Sequence, residues 1–213
     1  SIDATRTTAA RVALQDSVPS RVLGFSAELR PPIGPDLELR AGIDGRSSRG
    51  ETRELFSYVE GLPTRRRGAG GESFTTGIFG EVAASLGRWT LSGGTRLDRW
   101  SIADGELRER VIASGASLRD DEFADRSGWL PTARAGLMLD AAAGLSLRSA
   151  AYLGWRMPTL NELFRPFRAG PDATAANALL DPERLAGAEV GVRYERGATT
   201  LSATAFTNRL RDA

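Results

Sequence analysis

The chain has 213 residues and sets 28 basic against 27 acidic side chains, a net charge of +1, so bulk electrostatics select no polyanion and nucleic-acid binding is not expected. Cysteine, histidine and lysine are all absent, which removes disulfide frameworks, thiolate and imidazole metal sites, cysteine nucleophiles, and Ser-His-Asp or Ser-Lys hydrolysis. No enzyme activity, resident cofactor or metal site is therefore expected, and no stretch approaches the roughly 18 consecutive apolar residues of a membrane-spanning helix.

Along the chain the dominant signal has period two. Arg11–Gln15, with Val12 and Leu14 on one face, predicts a first strand, and the QDSVPS segment reads as a short link to the next. Leu23, Phe25, Ala27 and Leu29 then turn through PPIGPD into Leu37, Leu39, Ala41 and Ile43, with Glu28, Arg30, Glu38, Arg40 and Asp44 opposed. In ESFTTGIFGEVAASL, Phe74, Ile78, Val82 and Leu86 share one parity, and after Gly87-Arg88 the pattern resumes with Trp89, Leu91 and Leu97 against Arg96 and Asp98. Ala133, Ala135, Leu137 and Leu139 turn through DAAAG into Leu145, Leu147, Ala151 and Leu153, with Arg134 and Arg148 opposed. The last hairpin joins Ala188, Val190, Val192 and Tyr194 through Arg196-Gly197 to Leu201, Ala203 and Ala205.

This makes about nine antiparallel strands, with tight turns at one end only. The segments Arg46 to Gly71, Ser101 to Ser127 and Arg156 to Leu185 read as long loops at the other. A strand of about 10 residues at about 3.3 Å each, tilted near 40°, covers roughly 25 Å, the height of a lipid-facing band. Trp89, Trp129 and Trp155 share parity with the apolar set and sit near strand ends, as an aromatic girdle does. Trp100 has the opposite parity and is expected to point inward or to be displaced by a bulge. Two architectures satisfy this pattern: an up-and-down transmembrane β-barrel, here an incomplete, open, curved sheet, and a soluble β-sandwich. In the barrel, Glu81, Arg96, Asp98, Arg134, Arg148, Glu189 and Arg193 would line the lumen.

The segments GWRMPTLNELFRPFRAG and TAANALLDPERLAGAEVGVRYE resemble the barrel of TonB-dependent outer-membrane receptors. Trp155, Arg156, Pro158, Thr159, Asn161, Glu162, Leu163 and Phe164 match the first half of that family's paired motif. Asn177, Leu179, Pro182, Glu183, Glu189 and Gly191 match the second, with Ala178 where the family usually has proline. LRAGIDGR and LSGGTRLDRW are weaker echoes. Pro158 and Pro182 donate no ladder hydrogen bond, which suits places where strands leave and re-enter pairing. The resemblance implies a bacterial outer-membrane location and TonB-coupled uptake of a scarce nutrient, most often a ferric siderophore or cobalamin. It also implies contacts with outer-membrane lipid and lipopolysaccharide, with a plug domain and with TonB. The chain starts at Ser1 without methionine, shows no signal peptide and ends in LRDA, so residues 1–213 are expected to be a mid-barrel portion lacking the plug and the C-terminal strands. A passive porin-like barrel and a soluble β-rich binding module remain the alternatives.

Candidate ligand contacts are the loop residues Arg65, Arg66, Arg67, Arg156, Asn161, Arg165 and Arg168, because forked guanidinium groups suit carboxylate, catecholate or phosphate ligands. The competing readings are contact with lipopolysaccharide phosphates or a solvated rim and, for Asn161, Glu162 and Arg165, a local helical turn tied down by side chains. Asp120, Asp121, Glu122 and Asp125 lack the ordered spacing and glycine of a calcium loop and read as solvated charge.

Overall fold

The computed structural model describes residues 13–169, 172–174 and 176–212, with the backbone alone at 167–169 and 172–174. Twelve strands are described: β1 (Ala13–Ser17), β2 (Ser20–Leu29), β3 (Leu37–Val59), β4 (Leu62–Leu86), β5 (Trp89–Val111), β6 (Ser117–Phe123), β7 (Arg126–Ala142), β8 (Leu145–Arg156), β9 (Phe167–Ala169), β10 (Asp172–Thr174), β11 (Glu183–Arg196) and β12 (Thr199–Arg211). One short helix, α1 (Leu160–Phe164), lies between β8 and β9. Ten strands form one antiparallel sheet in the order β1-β3-β4-β5-β7-β8-β11-β12, with β2 on β3 and β6 on β5, while β9 and β10 pair separately. The sheet is not closed.

The register turns the period-two pattern into faces. Leu39, Val82, Gly93, Ala135, Ala151 and Ala188 form one continuous cross-strand row. The adjacent row is Arg40, Glu81, Gly94, Arg134, Tyr152, Gly187 and Asn208. Oily and polar rows thus alternate, and among the described residues no second layer covers the oily side: Val82 is 42% exposed, Leu91 41% and Val190 60%. Leaving a Val or Leu side chain in water forgoes about 1.5–3 kcal/mol each, so a face of this extent calls for hydrocarbon. A sandwich would have buried it. Trp89 and Trp129 stand on this face, 43% and 61% exposed, and Arg99 lies over the Trp129 ring at 5.6 Å.

Three sequence readings change. First, β1 and β2 both run antiparallel to β3, at Arg53–Phe56 and Ala41–Gly50, so they are one edge strand broken at Val18-Pro19 rather than two neighbours. The nine strands therefore occupy eight positions across the sheet among the described residues. Arg11 and Val12 lie outside the described residues. Second, two of the three long loops are extensions of the strands. β3 and β4 continue to a tight turn at Glu60-Gly61, where both φ are positive (50° and 81°) as a primed hairpin turn requires. β5 continues to Val111 and folds back through β6. At 23 and 25 residues, β3 and β4 span about 75–80 Å and stand far above a bilayer. Neither face meets hydrocarbon there, so the oily-polar alternation that identifies a strand is missing. Third, a bulge on β5 places Asp104 at φ 52° and shifts the β4–β5 register between Gly70 and Glu72. One extra residue exchanges the faces, so Ile102 points inward below the bulge and Gly105, Leu107 and Glu109 above it.

Candidate functional site

The inner wall below the bulge is a lattice of charges that cross strands over glycine. Arg96 on β5 reaches Asp44 on β3, with Nη2 donating to Oδ1 at 2.8 Å, by passing over Gly77 of β4. A Cβ on Gly77 would overlap both Arg96 and Asp98. Arg134 on β7 reaches Glu81 on β4 at 2.5 Å over Gly94 of β5, and Glu81 also takes Arg40 at 2.9 Å. On the far side Arg148 donates to Thr204 at 2.8 Å over Gly191, and Tyr152 to Asn208 at 2.8 Å over Gly187. Each glycine gives a long side chain a path to the second strand along, which lays the polar groups flat against the wall. Asp98, 2% exposed, is the deepest of them and accepts from Arg96 Nε at 2.7 Å and from Trp155 Nε1 at 2.9 Å.

That last bond corrects the girdle assignment of Trp155. The β7–β8 ladder ends at Ala133–Leu153, two residues short of Trp155, so the ring is free to turn inward across the end of β7. Trp100 is inward too, 7% exposed against Gly128, and with Ile102, Leu130, Leu163 and Phe164 it forms a small core packed by Phe123, Trp155, Met157, Leu160, Ala178 and Leu180.

The β8–β11 connection builds this core. Thr159 caps α1 and Glu162 returns the bond: the Glu162 amide donates to Thr159 Oγ1 at 3.2 Å and the Thr159 amide to Glu162 Oε2 at 2.7 Å. Capping fixes α1 so that Leu163 and Phe164 point at the wall, where Phe164 sits over Gly71 and Gly105 and stacks on Phe123 at 5.2 Å. Polar groups clamp the rim of the contact. Asn161 Oδ1 accepts from Thr52 Oγ1 at 3.1 Å, and Arg165 bonds Glu54, which is 4% exposed. Arg67 lies over the Phe56 ring at 4.4 Å, pairs with Glu109 at 2.6 Å and donates to the Pro166 carbonyl at 2.9 Å. Arg126 donates to the carbonyls of Ala178 and Leu180 at 2.8 and 2.9 Å, and the Asn177 amide to the Glu162 carbonyl at 3.3 Å.

Arg156 joins the two halves of the motif. Its Nε donates to Glu183 Oε2 at 2.9 Å and its Nη1 to Glu162 Oε2 at 3.1 Å. The shared guanidinium holds the Glu183 carboxyl below the usual range. Arg156, helped by the Thr159 amide, does the same to Glu162. A depressed carboxyl contributes stability that is complete above the ordinary value of 4.5 and is lost as the pH falls through the lower, folded value. Amide exchange at Leu163, corrected for intrinsic rate, should stay level from neutral pH down to the usual carboxylate range and accelerate below it. In Glu162→Gln the acid-induced step should shrink; an unchanged step would exclude the clasp as its source.

Of the candidate contacts, Arg67, Arg156, Asn161 and Arg165 are gathered in this clasp. Arg65 and Arg66 stand exposed near the β3–β4 tip and form no ion pair among the described residues, and the Arg168 side chain lies outside them. Arg66 faces Arg110 directly across the β4–β5 ladder. Among the motif residues, Pro158 and Pro182 bracket the connection, each buried. Thr52, Glu54 and Glu109 escaped the sequence reading because their partners Asn161, Arg165 and Arg67 lie 109, 111 and 42 residues away. Gly71 and Gly105 carried a usable signal, being small residues that lie under the Phe164 ring. Among the described residues no group of three or more acidic side chains is placed to hold a metal; Asp120 pairs with Arg108, and Asp121 with Arg119.

A family profile described as TonB dependent receptor-like, beta-barrel matches residues 4–213. No curated protein matches the chain. Among solved structures, the chain is similar to the ferric yersiniabactin uptake receptor FyuA from Yersinia pestis (TM-score 0.65, 17% identity, 92% of this chain and 30% of that one). It is also similar to the copper transporter OprC (TM-score 0.66, 20% identity, 91% and 30%). A third is the ferric-catecholate import receptor Fiu from Escherichia coli K12 (0.61, 15%, 91% and 32%). The chain thus spans about a third of the length of each. At these identities the likeness establishes the fold.

Proposed function

The chain belongs to the TonB-dependent receptor β-barrel family of the bacterial outer membrane, which is a family of receptors and transporters and not of enzymes, and from that premise we propose that it forms part of a receptor for TonB-coupled uptake of an anionic metal chelate, a ferric siderophore. The remainder of the receptor supplies the plug, the TonB contact and the strands that close the barrel, and residues 1–213 are one portion of the barrel wall. The observation that carries the cargo assignment is the group of uncompensated guanidinium groups near the tip. Arg65 and Arg66 have no carboxylate partner among the described residues; Arg65 shares the inner face with Arg67, while Arg66 has Arg110 opposite it on the outer face. Like charges set directly opposite repel unless an anion lies between them. Arg67, Arg156, Asn161 and Arg165 shape the floor beneath while their spare N–H groups remain available to a chelate.

The test uses the full-length receptor. Arg65→Gln combined with Arg66→Gln should weaken binding of a ferric catecholate about tenfold and flatten its salt dependence, while neutral cobalamin binds neither protein. Unchanged catecholate affinity would remove the cargo assignment. Uptake that persists in cells lacking TonB would instead favour a passive channel.

A further inference from the structure

Residues on the outer face of the sheet stay outside however the barrel is completed, so a site there does not depend on parts of the receptor that lie beyond this chain. One row of that face runs Phe25, Gly45, Thr76, Arg99, Trp129 and marks the aromatic girdle. Two outward rows higher, four residues or about 13 Å along the strands, the row is Arg21, Arg49, Glu72. Arg21 and Arg49 are direct cross-strand partners, an arrangement that is unfavourable in the bare protein. Arg49 gives one nitrogen to Glu72 at 2.8 Å and keeps its side chain 74% exposed, and Arg21 has no ion pair among the described residues. They line one end of a groove of about 900 Å³ whose far end holds Asp104, Glu122 and Asp125. Within it Glu51, Glu72 and Glu106 are each taken up by an arginine, Arg53, Arg49 and Arg108. Directly below the arginine pair, Leu23 and Phe25 on β2 and Phe74 on β4 present apolar side chains, 56%, 55% and 38% exposed, with Ser47 between Leu23 and Phe74.

We propose that Arg21 and Arg49 grip a phosphate of the phosphorylated, multiply acylated glycolipid of the outer leaflet, with its sugars in the groove and its acyl chains running down over Leu23, Phe25 and Phe74. A phosphate monoester offers three acceptor oxygens to two guanidinium forks and removes the repulsion between them. The height above the girdle and the room in the groove beside the arginine pair suit a phosphate carried on sugars better than one attached directly to a diacylglycerol. The proposal rests on the outer-membrane location and not on the cargo, so it survives if the siderophore reading fails.

The experiment takes delipidated full-length receptor in dodecyl maltoside and measures binding by native mass spectrometry. Bisphosphorylated lipid A should bind, and Arg21→Gln with Arg49→Gln should lose at least tenfold in affinity, while the charge-conserving pair Arg21→Lys, Arg49→Lys loses less. Dephosphorylated lipid A binding as well as the phosphorylated form would overturn the proposal, as would full affinity in the glutamine pair. Equal binding of phosphatidylglycerol would overturn the glycolipid assignment. If the glutamine pair fails the heat-modifiable mobility test for a folded barrel, the dephosphorylated arm on the unaltered protein decides alone.

Discussion

Phe164→Ala is expected to release the whole β8–β11 connection from the inner wall while leaving the sheet intact. The ring is 2% exposed, lies on Gly71 and Gly105 and stacks on Phe123. Truncating so buried an aromatic costs about 3–5 kcal/mol. A helix of five residues has no stability of its own to set against that loss, and its capping box contributes only about 1 kcal/mol. The wall, by contrast, is held by ladders that α1 does not join. Hydrogen exchange in the full-length receptor should therefore show protection of Leu163 and Arg165 falling by about two to three orders of magnitude, with that of β4 and β5 unchanged. Gly105→Val, which puts side-chain atoms where the ring lies, should reproduce the result from the opposite side of the contact. Retained protection in both variants would mean that the connection is held by something other than this core.

Gly77→Val is expected to be far more damaging than Gly80→Val, although the two glycines lie three residues apart in the same strand. Gly77 faces inward beneath the Arg96 side chain, and a Cβ there would overlap Arg96 and Asp98. The variant must break the Arg96–Asp44 bonds or push the nearly inaccessible Asp98 off its Arg96 and Trp155 donors. Arg96 and Asp44 are partly solvated, which moderates the loss, but overpacking and an unsatisfied Asp98 together cost about 2–4 kcal/mol. Gly80 faces outward with nothing within 4 Å of its Cβ direction. Valine there adds apolar surface on the lipid side and should change stability by under about 0.5 kcal/mol. Urea unfolding of the full-length receptor from lipid vesicles compares them directly; equal effects would mean that the glycines do not serve as crossing points.

Sequence alone revealed the four hairpins, their faces and the motif, because each depends on residues close together in the chain. Alternation of oily and wet residues identifies a strand only where one face meets an apolar phase, which is why Glu72–Leu86 was legible and Glu51–Val59, a strand of the same sheet, read as loop. The β5 bulge was invisible for a related reason: a single extra residue at Asp104 leaves composition untouched and reverses every face beyond it. Proline helped only in part. Pro158 and Pro182 mark where pairing stops and resumes, but Pro19 lies in a break within one edge strand and suggested a turn between two. In the clasp, Thr159 and Glu162 form a capping box visible at spacing three, whereas Arg165–Glu54 and Thr52–Asn161 join residues 111 and 109 apart. Only the register of four long strands brings those partners together. Trp155 misled by parity, because beyond the end of the β7–β8 ladder its ring turns in across the end of β7 to Asp98.

Which side of the sheet meets hydrocarbon is directly measurable, because residues 1–213 contain no cysteine of their own. Single cysteines placed in turn from Glu81 to Leu86 in the full-length receptor, labelled with an environment-sensitive fluorophore and reconstituted in vesicles, report each side chain's surroundings. Brominated lipid tails should quench probes at 82, 84 and 86, and aqueous iodide those at 81, 83 and 85. Quenching by lipid at the odd positions, or without alternation, would contradict the placement of every residue discussed.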